Sequence, residues 1–251
     1  MTNINADFVG KVLLTFTELE STQNYAQELL LRSEPEEGTL VRAAYQTEGK
    51  GLLRNRWESE RGKNLLLSVI FYPSFLPVQR TFLLSQAMAL GVQNWMERYA
   101  APAKVKWPND IYIGKKKIAG MLIQNALSGA KLVHSIVGLG VNMNQTEFSP
   151  ELPNPGSLAL ETGQTFDLDE TLSSLCQHLE YWYLRLKKGQ WEEIHAEYVM
   201  RLYGFGEIRT FARKNGTRFQ GRIVGVAQNG YLQVETENGL QEFEMKEIRF
   251  S

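Results

Sequence analysis

The residue types best suited to binding chemistry in this chain lie between Lys106 and Gly120. The segment opens with Lys-Trp-Pro-Asn-Asp, in which the proline fixes its own backbone dihedral and keeps the preceding tryptophan extended. Asn109 and Asp110 then present an amide and a carboxylate at a predicted turn. This combination is too unusual for a segment that serves only as scaffold, and we interpret it as a candidate ligand-binding element.

A β-hairpin is predicted immediately after this turn. Two strand-like runs, Ile111–Ile113 and Lys117–Gln124, flank a Gly114-Lys115 turn. Because side chains alternate along a strand, Lys117 is predicted to lie on an otherwise apolar face of the second run. The apolar residues of that face are Ala119, Met121 and Ile123. An amine in this setting can bind an anionic ligand, although lysines at a hairpin tip are also commonly solvated.

Strands and helices are predicted around this hairpin over the first 203 residues. Hydrophobic spacing predicts a helix capped by Ser21 or Thr22, and a loop rich in Gly, Lys and Arg covers residues 46–63. The other predicted strands are Thr39–Tyr45, Leu65–Tyr72 and Leu132–Val141, and the longer predicted helices are Gln79–Tyr99, Leu168–Lys188 and Trp191–Leu202. Together these elements predict an α+β fold with a mixed β-sheet flanked by helices.

Beyond Gly204 the pattern changes to short alternating runs separated by Asn-Gly pairs. The pairs lie at residues 215–216, 229–230 and 238–239, and Asn-Gly between strand-like runs is a strong hairpin signal. Their close spacing predicts a small antiparallel barrel or sheet. The predicted organisation is therefore a larger domain over residues 1–203 and a compact β domain over residues 204–251.

Composition excludes several classes of function. The chain has 251 residues and a formal net charge of −1, so no overall positive field attracts nucleic acid or an anionic membrane. Its N-terminus lacks the basic and apolar regions of a signal peptide, and no apolar run reaches membrane-spanning length. The single cysteine, Cys176, excludes an internal disulfide. We therefore expect a soluble, cytoplasmic protein that binds neither DNA nor membrane.

Absent motifs narrow the chemistry further. The three histidines, at positions 134, 178 and 195, form no pair with metal-ligand spacing, so no metal site is predicted from a protein motif. The sequence contains no Gly-x-Ser-x-Gly elbow and no phosphate-binding Gly-x-x-x-x-Gly-Lys-(Ser/Thr) loop. Cys176 lies in a helical apolar stripe, which favours a core position. An enzyme with this sequence is expected to use no protein nucleophile.

Several motifs in this chain together resemble those of biotin protein ligases. Lys106–Asp110 followed by Lys117–Gly120 is similar to the Lys-Trp-Pro-Asn-Asp…Lys-x-Ala-Gly signature of that family. The other motifs of the family recur in the same order along almost the whole chain. They are Glu20-Ser21-Thr22-Gln23, the loop from Gln46 to Lys63, and Gly138-Leu139-Gly140-Val141-Asn142-Met143-Asn144.

The resemblance implies a biotin/lipoate ligase fold of the class II synthetase type that ends in a small SH3-like β-barrel. It implies an ATP-dependent ligase that activates biotin as biotinyl-5'-AMP with Mg²⁺. Biotin then passes to a lysine of a biotin carboxyl carrier domain of a carboxylase. Some members carry an N-terminal DNA-binding helix-turn-helix, but Ser21 lies too near Met1 to leave room for one, so no repressor role is expected. A monomer or homodimer is expected.

The resemblance also implies roles for individual residues. Catalysis by positioning and charge neutralisation is expected from cationic side chains of the loop and the hairpin. These are Lys50, Arg54, Arg56 and Lys117. The expected biotin-binding residues are Ser21, Thr22, Gln46, Gly49, Lys50, Trp57, Lys117, Gly120 and Gly138. The expected residues for ATP and the adenylate are Lys50, Trp57, Asn109, Asp110, Lys117 and Asn142.

The loop departs from the family pattern in its charges. Family loops often read Gly-Arg-Gly-Arg-x-Gly-Arg-x-Trp, whereas residues 49–57 read Gly-Lys-Gly-Leu-Leu-Arg-Asn-Arg-Trp. Lys50 keeps the first charge without the bidentate fork of arginine, and Leu52 removes the second charge. We hypothesise that Arg54 or Arg56 compensates at the phosphate.

Three alternative functions are retained. A lipoate–protein ligase or octanoyl transferase of the same superfamily shares the fold and a similar lysine strand, but its usual Arg-Arg-x-Ser-Gly-Gly-Gly stretch is absent here. A non-enzymatic nucleic-acid- or protein-binding module would use the basic residues of the C-terminal region, which nearby glutamates balance. A degenerate ligase would bind biotin and transfer it slowly, because Leu52 replaces a loop arginine.

Overall fold

The computed structural model describes residues 2, 4–51, 56–99 and 102–250, and a seven-stranded mixed sheet lies at its centre. Its strands are β1 (Leu13–Phe16), β2 (Leu40–Ala43), β3 (Leu65–Phe71), β4 (Ala103–Lys106), β5 (Asp110–Ile113), β6 (Lys116–Ser128) and β7 (Lys131–Val141). The strand order is β1-β2-β3-β7-β6-β5-β4. β1 and β2 are parallel, and the other neighbours are antiparallel. The predicted mixed sheet is confirmed.

Helices cover the two faces of this sheet unequally. They are α1 (Thr22–Arg32), α2 (Phe82–Met96), α3 (Leu158–Thr162), α4 (Leu168–Lys187) and α5 (Trp191–Met200). Helices α2, α4 and α5 bury one face in the main core, where Trp95, Tyr183 and Tyr198 are fully buried. Helix α1 covers part of the opposite face through a smaller cluster that includes Ala26 and Ile136. Within the described residues, no helix combines the length and apolar composition needed to cross a membrane.

A second sheet follows at the C-terminal end of the chain. Its antiparallel strands are β8 (Ile208–Arg213), β9 (Arg218–Val226), β10 (Leu232–Thr236), β11 (Gly239–Phe243) and β12 (Ile248–Phe250), in the order β11-β10-β9-β8-β12. Each predicted Asn-Gly pair lies at a turn, where Gly216, Gly230 and Gly239 have φ values of 85°, 90° and 89°. Glycine adopts such values without strain. The small β domain is confirmed as a sheet, and the boundary at residue 203 stays a prediction.

The predicted hairpin after Asp110 is present as β5 and β6, but its register contains a bulge. One residue of β6, Ile118, has no partner in β5. The prediction that Lys117 faces the same way as Ala119, and as the apolar residues that follow at alternate positions, is therefore wrong. Ala119 is fully buried in the main core, whereas the Lys117 side chain lies beside Gly120 on the opposite face.

The N-terminal segment is attached to the helical layer by one buried carboxylate. Glu180 of α4 is 6% exposed and accepts hydrogen bonds from the backbone N–H groups of Asp7, Phe8 and Val9, at 2.8, 2.7 and 2.9 Å. Three charge-assisted hydrogen bonds replace the hydration that a buried carboxylate loses. Glu180 therefore fixes residues 7–9 against the core.

We predict that Glu180→Gln lowers the free energy of unfolding by about 1–3 kcal/mol, because a neutral amide forms weaker hydrogen bonds and presents an N–H to backbone donors. Urea unfolding measures this loss. Glu193→Gln is the control, since the Glu193 side chain is 60% exposed and pairs with Arg185 at the surface. Equal losses in the two variants would contradict the role assigned to Glu180.

Candidate functional site

A cavity of about 590 Å³ opens on the sheet face that α1 leaves partly uncovered. Its walls come from the N-terminus of α1, the loop after β2, strands β6 and β7, the turn before β5, and residues 148–155. The C-terminal sheet contributes Lys246. The volume lies in the range of typical small-molecule sites. The predicted hairpin and loop therefore meet at one concave surface.

The indole of Trp57 lies on two glycines that face each other across β6 and β7. Gly120 and Gly140 are partners in the strand register. A Cβ atom added to Gly140 would lie 2.4–2.8 Å from Trp57 ring atoms, and one added to Gly120 would lie 3.0 Å from the ring. Neither position accommodates a side chain without moving the indole. This glycine pair therefore sets the position of the aromatic wall of the cavity.

Hydroxyl and amide side chains line the end of the cavity beside α1. Thr22 donates hydrogen bonds from its backbone N–H and its hydroxyl group to Gln46 Oε1, at 2.8 and 3.0 Å. Ser68 donates its hydroxyl to Thr22 Oγ1 at 2.9 Å. Gln23 reaches so close to Gly138 that a Cβ atom there would lie 2.3 Å from Gln23 Oε1. This end is suited to a ligand with several hydrogen-bonding groups.

Three buried polar atoms at this cavity have no hydrogen-bond partner within the described part of the chain. They are Ser21 Oγ, Trp57 Nε1 and Asn142 Oδ1. Ser21 occupies the N-cap position of α1, yet its hydroxyl caps no backbone N–H there. Buried polar groups without partners are costly and rare in folded proteins, so we expect the groups of a bound molecule to satisfy them.

Lys117 and Asp110 form an ion pair in the cavity wall. Their Nζ and Oδ1 atoms are 2.8 Å apart, and both side chains are about one-third exposed or less, at 30% and 28%. The Lys117 Nζ atom also lies 5.6 Å from the centroid of the Trp57 ring, within cation–π range. Because an ammonium group has three donors, one carboxylate leaves Lys117 able to bind an incoming anion.

Two predicted amide residues also hold the cavity walls in place. Asn109 donates its Nδ2 to the carbonyl of Met121, and the Met121 N–H donates back to the Asn109 carbonyl at 3.1 Å. Asn142 donates its Nδ2 to the carbonyl of Gly156 at 2.8 Å. The turn before β5 and the segment after residue 148 are thereby fixed to the central strands.

The loop after β2 brings its two arms together beside the tryptophan. The Trp57 N–H donates to the Gly49 carbonyl at 2.8 Å. The backbones of Lys50 and Arg56 form an isolated antiparallel β-bridge across the loop. A Cβ atom on Gly49 would lie 2.4 Å from the Trp57 carbonyl oxygen, so the close approach requires glycine. Residues 52–55, which include the predicted catalytic Arg54, lie outside the described residues.

Gln145 connects two segments that lead into the cavity lining, and sequence analysis did not identify it. Its Oε1 accepts hydrogen bonds from the Glu60 N–H at 3.0 Å and from Asn64 Nδ2 at 2.6 Å. Its Nε2 donates to the carbonyl of Glu147 at 2.7 Å. Gln145 therefore fixes the chain that follows the tryptophan and the beginning of the segment that includes residues 148–155.

The turn before β5 also contacts the C-terminal sheet. Trp107 donates its Nε1 hydrogen to the carbonyl of Gly230 at 2.9 Å, and the Trp107–Pro108 peptide bond is cis. Lys106 Nζ lies 5.2 Å from the centroid of the Phe250 ring. Burial lowers the pKa of Lys106, and nearby Asp110 acts in the opposite direction. The Lys-Trp-Pro-Asn-Asp segment therefore joins the two sheets.

The donor groups of the cavity fit magnesium only as part of a nucleotide complex. No group of three or more His, Cys, Asp or Glu side chains within the described residues could hold a metal ion. Magnesium in nucleotide-binding sites commonly uses phosphate oxygens and waters with one or two carboxylates. Asp110 and Glu151 line the cavity and could supply such oxygens to Mg-ATP.

The structure brings together most of the residues predicted for the site. Those that line the cavity are Ser21, Thr22, Gln46, Lys50, Arg56, Trp57, Asn109, Asp110, Lys117, Gly120, Gly138 and Asn142. Gly49 lies behind the lining, in contact with Trp57. Sequence analysis missed Gln23, Gly140 and Lys246 as lining residues, and Gln145 as a residue that supports the lining. Two of these residues had a signal, because Gln23 and Gly140 lie within the family-like motifs. Gly140 also follows Gly138 by two positions and so shares its face of the strand.

Comparisons with known proteins agree with this arrangement. Residues 15–142 match the model of the biotin/lipoate A/B protein ligase family. The bifunctional ligase/repressor BirA of Bacillus subtilis strain 168 is 30% identical over 249 residues, which cover 98% of this chain and 76% of that protein. The human biotin–protein ligase is 33% identical over 150 residues, which cover 57% of this chain and 20% of that protein.

A solved structure supports the same similarity over nearly the whole chain. The biotin protein ligase from Aquifex aeolicus, in complex with biotin and ATP, superposes with a TM-score of 0.80. The two sequences are 28% identical, and the match covers 96% of this chain and 99% of that one. Both the large sheet and the C-terminal sheet thus have counterparts in a single known structure.

We predict that Gly140→Ala displaces the Trp57 indole, because the new methyl group would overlap the ring. The ¹⁹F resonance of 5-fluorotryptophan at position 57, assigned with Trp57→Phe, should shift while the other indole resonances stay in place. Gly225→Ala is the control, since its Cβ would meet only the flexible end of Gln233, at 2.8 Å. An unchanged Trp57 resonance in Gly140→Ala would contradict the assigned packing.

Proposed function

This chain belongs to the biotin/lipoate A/B protein ligase family, and we propose that within it the chain is an ATP-dependent biotin–protein ligase. The observation that carries this proposal is the Lys117–Asp110 pair beside the Trp57 wall, in a cavity whose other end is lined by hydroxyl and amide groups. A small molecule with a polar head, an apolar body and a carboxylate fits this order of groups.

The reaction has two steps. A biotin carboxylate oxygen attacks the α-phosphorus of Mg-ATP; a new P–O bond forms, the bond to the β-phosphate oxygen breaks, and pyrophosphate leaves. A lysine amine of the acceptor then attacks the acyl carbon, AMP leaves, and the amine loses a proton. Neither step needs a protein nucleophile. Cys176 is not suited to act as a nucleophile in either step, because burial raises the pKa of its thiol to about 12.

The hydroxyl and amide end of the cavity matches the ureido ring of biotin. A ureido group has one carbonyl acceptor and two N–H donors. Ser21 Oγ is a donor without a partner among the described residues, and Thr22 and Gln46 carry further polar groups beside it. The indole of Trp57 and the side chain of Leu122 line the neighbouring part of the cavity, where the apolar part of biotin would lie.

Lys117 is suited to the reacting centre. The first step brings a carboxylate towards a polyphosphate, and the repulsion between these anions must be neutralised. Asp110 holds the Lys117 amine in place, and the bulge at Ile118 turns it into the cavity. A preorganised cation needs little rearrangement when the anions arrive. In this proposal Lys117 contacts the biotin carboxylate and the α-phosphate.

The polar groups near Lys117 would hold the adenylate. Asn142 Oδ1 is buried and has no partner within the described residues, so it can accept a hydrogen bond from the ligand. Asn109 and Asp110 line the same region, with Asp110 held by Lys117. Trp57 and the loop that precedes it would shield the water-sensitive acyl phosphate.

The second substrate is a biotin-accepting protein. Relatives from Paracoccus denitrificans and Mycobacterium tuberculosis are named biotin–[acetyl-CoA-carboxylase] ligases, and these names imply a biotin-carrying protein as substrate. We propose the biotin carboxyl carrier domain of a carboxylase as the acceptor. A cytoplasmic location and a monomeric or homodimeric state belong to the same proposal.

Lipoate fits the cavity less well than biotin does. The dithiolane ring of lipoate has no N–H donor and no carbonyl acceptor. It would leave the polar groups around Ser21, Thr22 and Gln46 without partners, and buried polar groups without partners are costly. A site built to hydrogen bond a substrate discriminates strongly against an analogue without those groups.

We predict that Lys117→Ala lowers biotin-dependent pyrophosphate release from Mg-ATP by about 10²–10³-fold, because the cation that stabilises the transition state is lost. Lys115→Ala, at the exposed tip of the same hairpin, is the control and should keep wild-type activity. Parallel assays with lipoate and octanoate in place of biotin identify which acid the protein activates. Pyrophosphate release with lipoate alone would identify the chain as a lipoate–protein ligase instead. No pyrophosphate release with any of the three acids would refute the proposed function.

The hypothesis that a loop arginine compensates for Leu52 makes a separate prediction. Arg56→Ala or Arg54→Ala should raise the KM for ATP about tenfold, because a phosphate contact is lost. Arg61→Ala is the control, since Arg61 pairs with Glu18 and lies over the Tyr45 ring at 4.5 Å. Wild-type ATP affinity and adenylate retention in both variants would exclude compensation by either arginine.

A further inference from the structure

Ser68 is the polar residue of an otherwise apolar strand. Strand β3 reads Leu-Leu-Leu-Ser-Val-Ile-Phe over residues 65–71, and every residue in it is buried, with Ser68 at 0% exposure. A buried hydroxyl group is costly unless it forms hydrogen bonds. The Ser68 hydroxyl contacts the first turn of α1 through Thr22 and Gln23, which both line the cavity. Ser68 therefore lies behind the hydroxyl and amide end of the cavity.

Two backbone groups fix the orientation of the amide side chains around Ser68. The Thr22 N–H can only donate, so the Gln46 atom 2.8 Å from it is the oxygen Oε1. The Ile136 carbonyl can only accept, so the Gln23 atom 3.2 Å from it is the nitrogen Nε2. Gln23 Oε1 then faces Ser68, at 3.3 Å from the hydroxyl oxygen. Each of the two amides therefore has one orientation.

The directions of the hydroxyl protons follow from these amides. Thr22 donates its one hydroxyl proton to Gln46 Oε1 at 3.0 Å, so Thr22 Oγ1 can only accept from other groups. Ser68 donates to Thr22 Oγ1 at 2.9 Å, and Gln23 Oε1 is a second acceptor near the same proton. In the part of the chain that the structure describes, no group other than Ser68 donates to either oxygen.

This chain of hydrogen bonds decides what the cavity offers to a ligand. Gln46 Oε1 accepts both hydrogen bonds from Thr22, which leaves the Nε2 donors of Gln46 for the cavity. Thr22 Oγ1 keeps one lone pair, because the other accepts from Ser68. A donor amide beside an acceptor hydroxyl complements the carbonyl and neighbouring N–H of a cyclic urea. Without Ser68, Thr22 would lose the hydrogen bond that directs this lone pair.

We propose that Ser68 is a positioning residue for biotin and makes no contact with it. Its hydroxyl group holds Thr22 Oγ1 as an acceptor for a ureido N–H and restrains Gln23 Oε1 against Gly138. This inference rests on the proposed function, which makes biotin the ligand of the cavity. Ser68 then affects the binding of biotin and leaves the reaction beside Lys117, at the other end of the cavity, unchanged.

A second buried serine in the same sheet provides a matched control. Ser135 of β7 is also 0% exposed, and it donates its hydroxyl to an amide oxygen, Asn125 Oδ1, at 2.8 Å. Neither Ser135 nor Asn125 is among the described residues that line the cavity. Ser135→Ala therefore removes a comparable buried hydrogen bond without disturbing the groups that would face biotin.

The experiment compares full-length variants in biotin binding, activity and stability. Ser68→Ala removes the hydroxyl group, and Ser68→Cys fills a similar space with a weaker donor. Thr22→Ala, with and without Ser68→Ala, tests whether Ser68 acts through Thr22. Calorimetry measures the Kd of biotin, and pyrophosphate release gives kcat and the KM for biotin and for ATP. The melting temperature of each variant measures its stability.

We expect the Kd and KM for biotin to rise about tenfold in Ser68→Ala and about threefold in Ser68→Cys, the size of one neutral hydrogen bond lost or weakened. The kcat and the KM for ATP should stay at wild-type values. Ser135→Ala should lower the melting temperature about as much as Ser68→Ala does and leave biotin binding unchanged. In the Thr22→Ala background, Ser68→Ala should raise the Kd of biotin by no more than about twofold, because the oxygen that it positions is absent.

Several results would overturn the inference. An unchanged Kd of biotin in Ser68→Ala excludes a positioning role, and an equal rise in Ser135→Ala attributes the loss to a general loosening of the sheet. A further rise of about tenfold when Ser68→Ala is added to Thr22→Ala would show that Ser68 acts independently of Thr22. If the wild-type protein neither binds biotin nor releases pyrophosphate with it, the proposed function fails. Normal wild-type activity with an insensitive Ser68→Ala variant refutes only the role of Ser68.

Discussion

An aromatic ring can lie flat on a β-sheet only where the strands beneath it carry no side chains, and the cavity depends on one such place. Gly120 and Gly140 face each other across the two central strands and leave that space to the indole of Trp57. The indole in turn requires the close approach of Gly49 and lies beside the Lys117 amine. A side chain at either strand glycine would displace the aromatic wall and disturb the contacts that the loop makes through it.

A second constraint decides which side of the sheet carries the cation. Without the bulge at Ile118, strict alternation would place Lys117 on the face of Ala119, which is fully buried in the main core. An unpaired ammonium group there would cost several kcal/mol or shift its protonation. The extra residue moves the amine to the open face, where Asp110 and solvent stabilise it. The bulge therefore keeps the Lys117 ammonium group out of the apolar core and places it in the cavity wall.

Sequence alone predicted the elements well because their signals are local. Apolar spacing located β2, β3, β5, β6, β7 and the long helices but missed the short strands β1 and β4. The Asn-Gly pairs located the C-terminal turns, where positive φ requires glycine. The face of Lys117 was predicted wrongly because strand register depends on the partner strand. Gln145 and Glu180 were missed for a related reason: each is defined by hydrogen bonds to residues distant in sequence, which no local pattern encodes. The motif residues were found through resemblance, and the structure explains why they must converge.

Consecutive residues of the Lys-Trp-Pro-Asn-Asp turn connect the C-terminal sheet with the Lys117–Asp110 ion pair of the large sheet. Trp107 binds the Gly230 carbonyl of the C-terminal sheet, and the Pro108 carbonyl accepts a hydrogen bond from the buried Tyr198 hydroxyl at 2.8 Å. Asn109 is fixed to β6, and Asp110 holds the Lys117 amine. These contacts follow one another along the backbone, with only Pro108 and Asn109 between Trp107 and Asp110. A shift of the C-terminal sheet must therefore change the conformation of these two residues or move the ion pair. The turn thus makes the position of the small sheet part of the geometry of the cavity, even though the reacting groups lie on the large one.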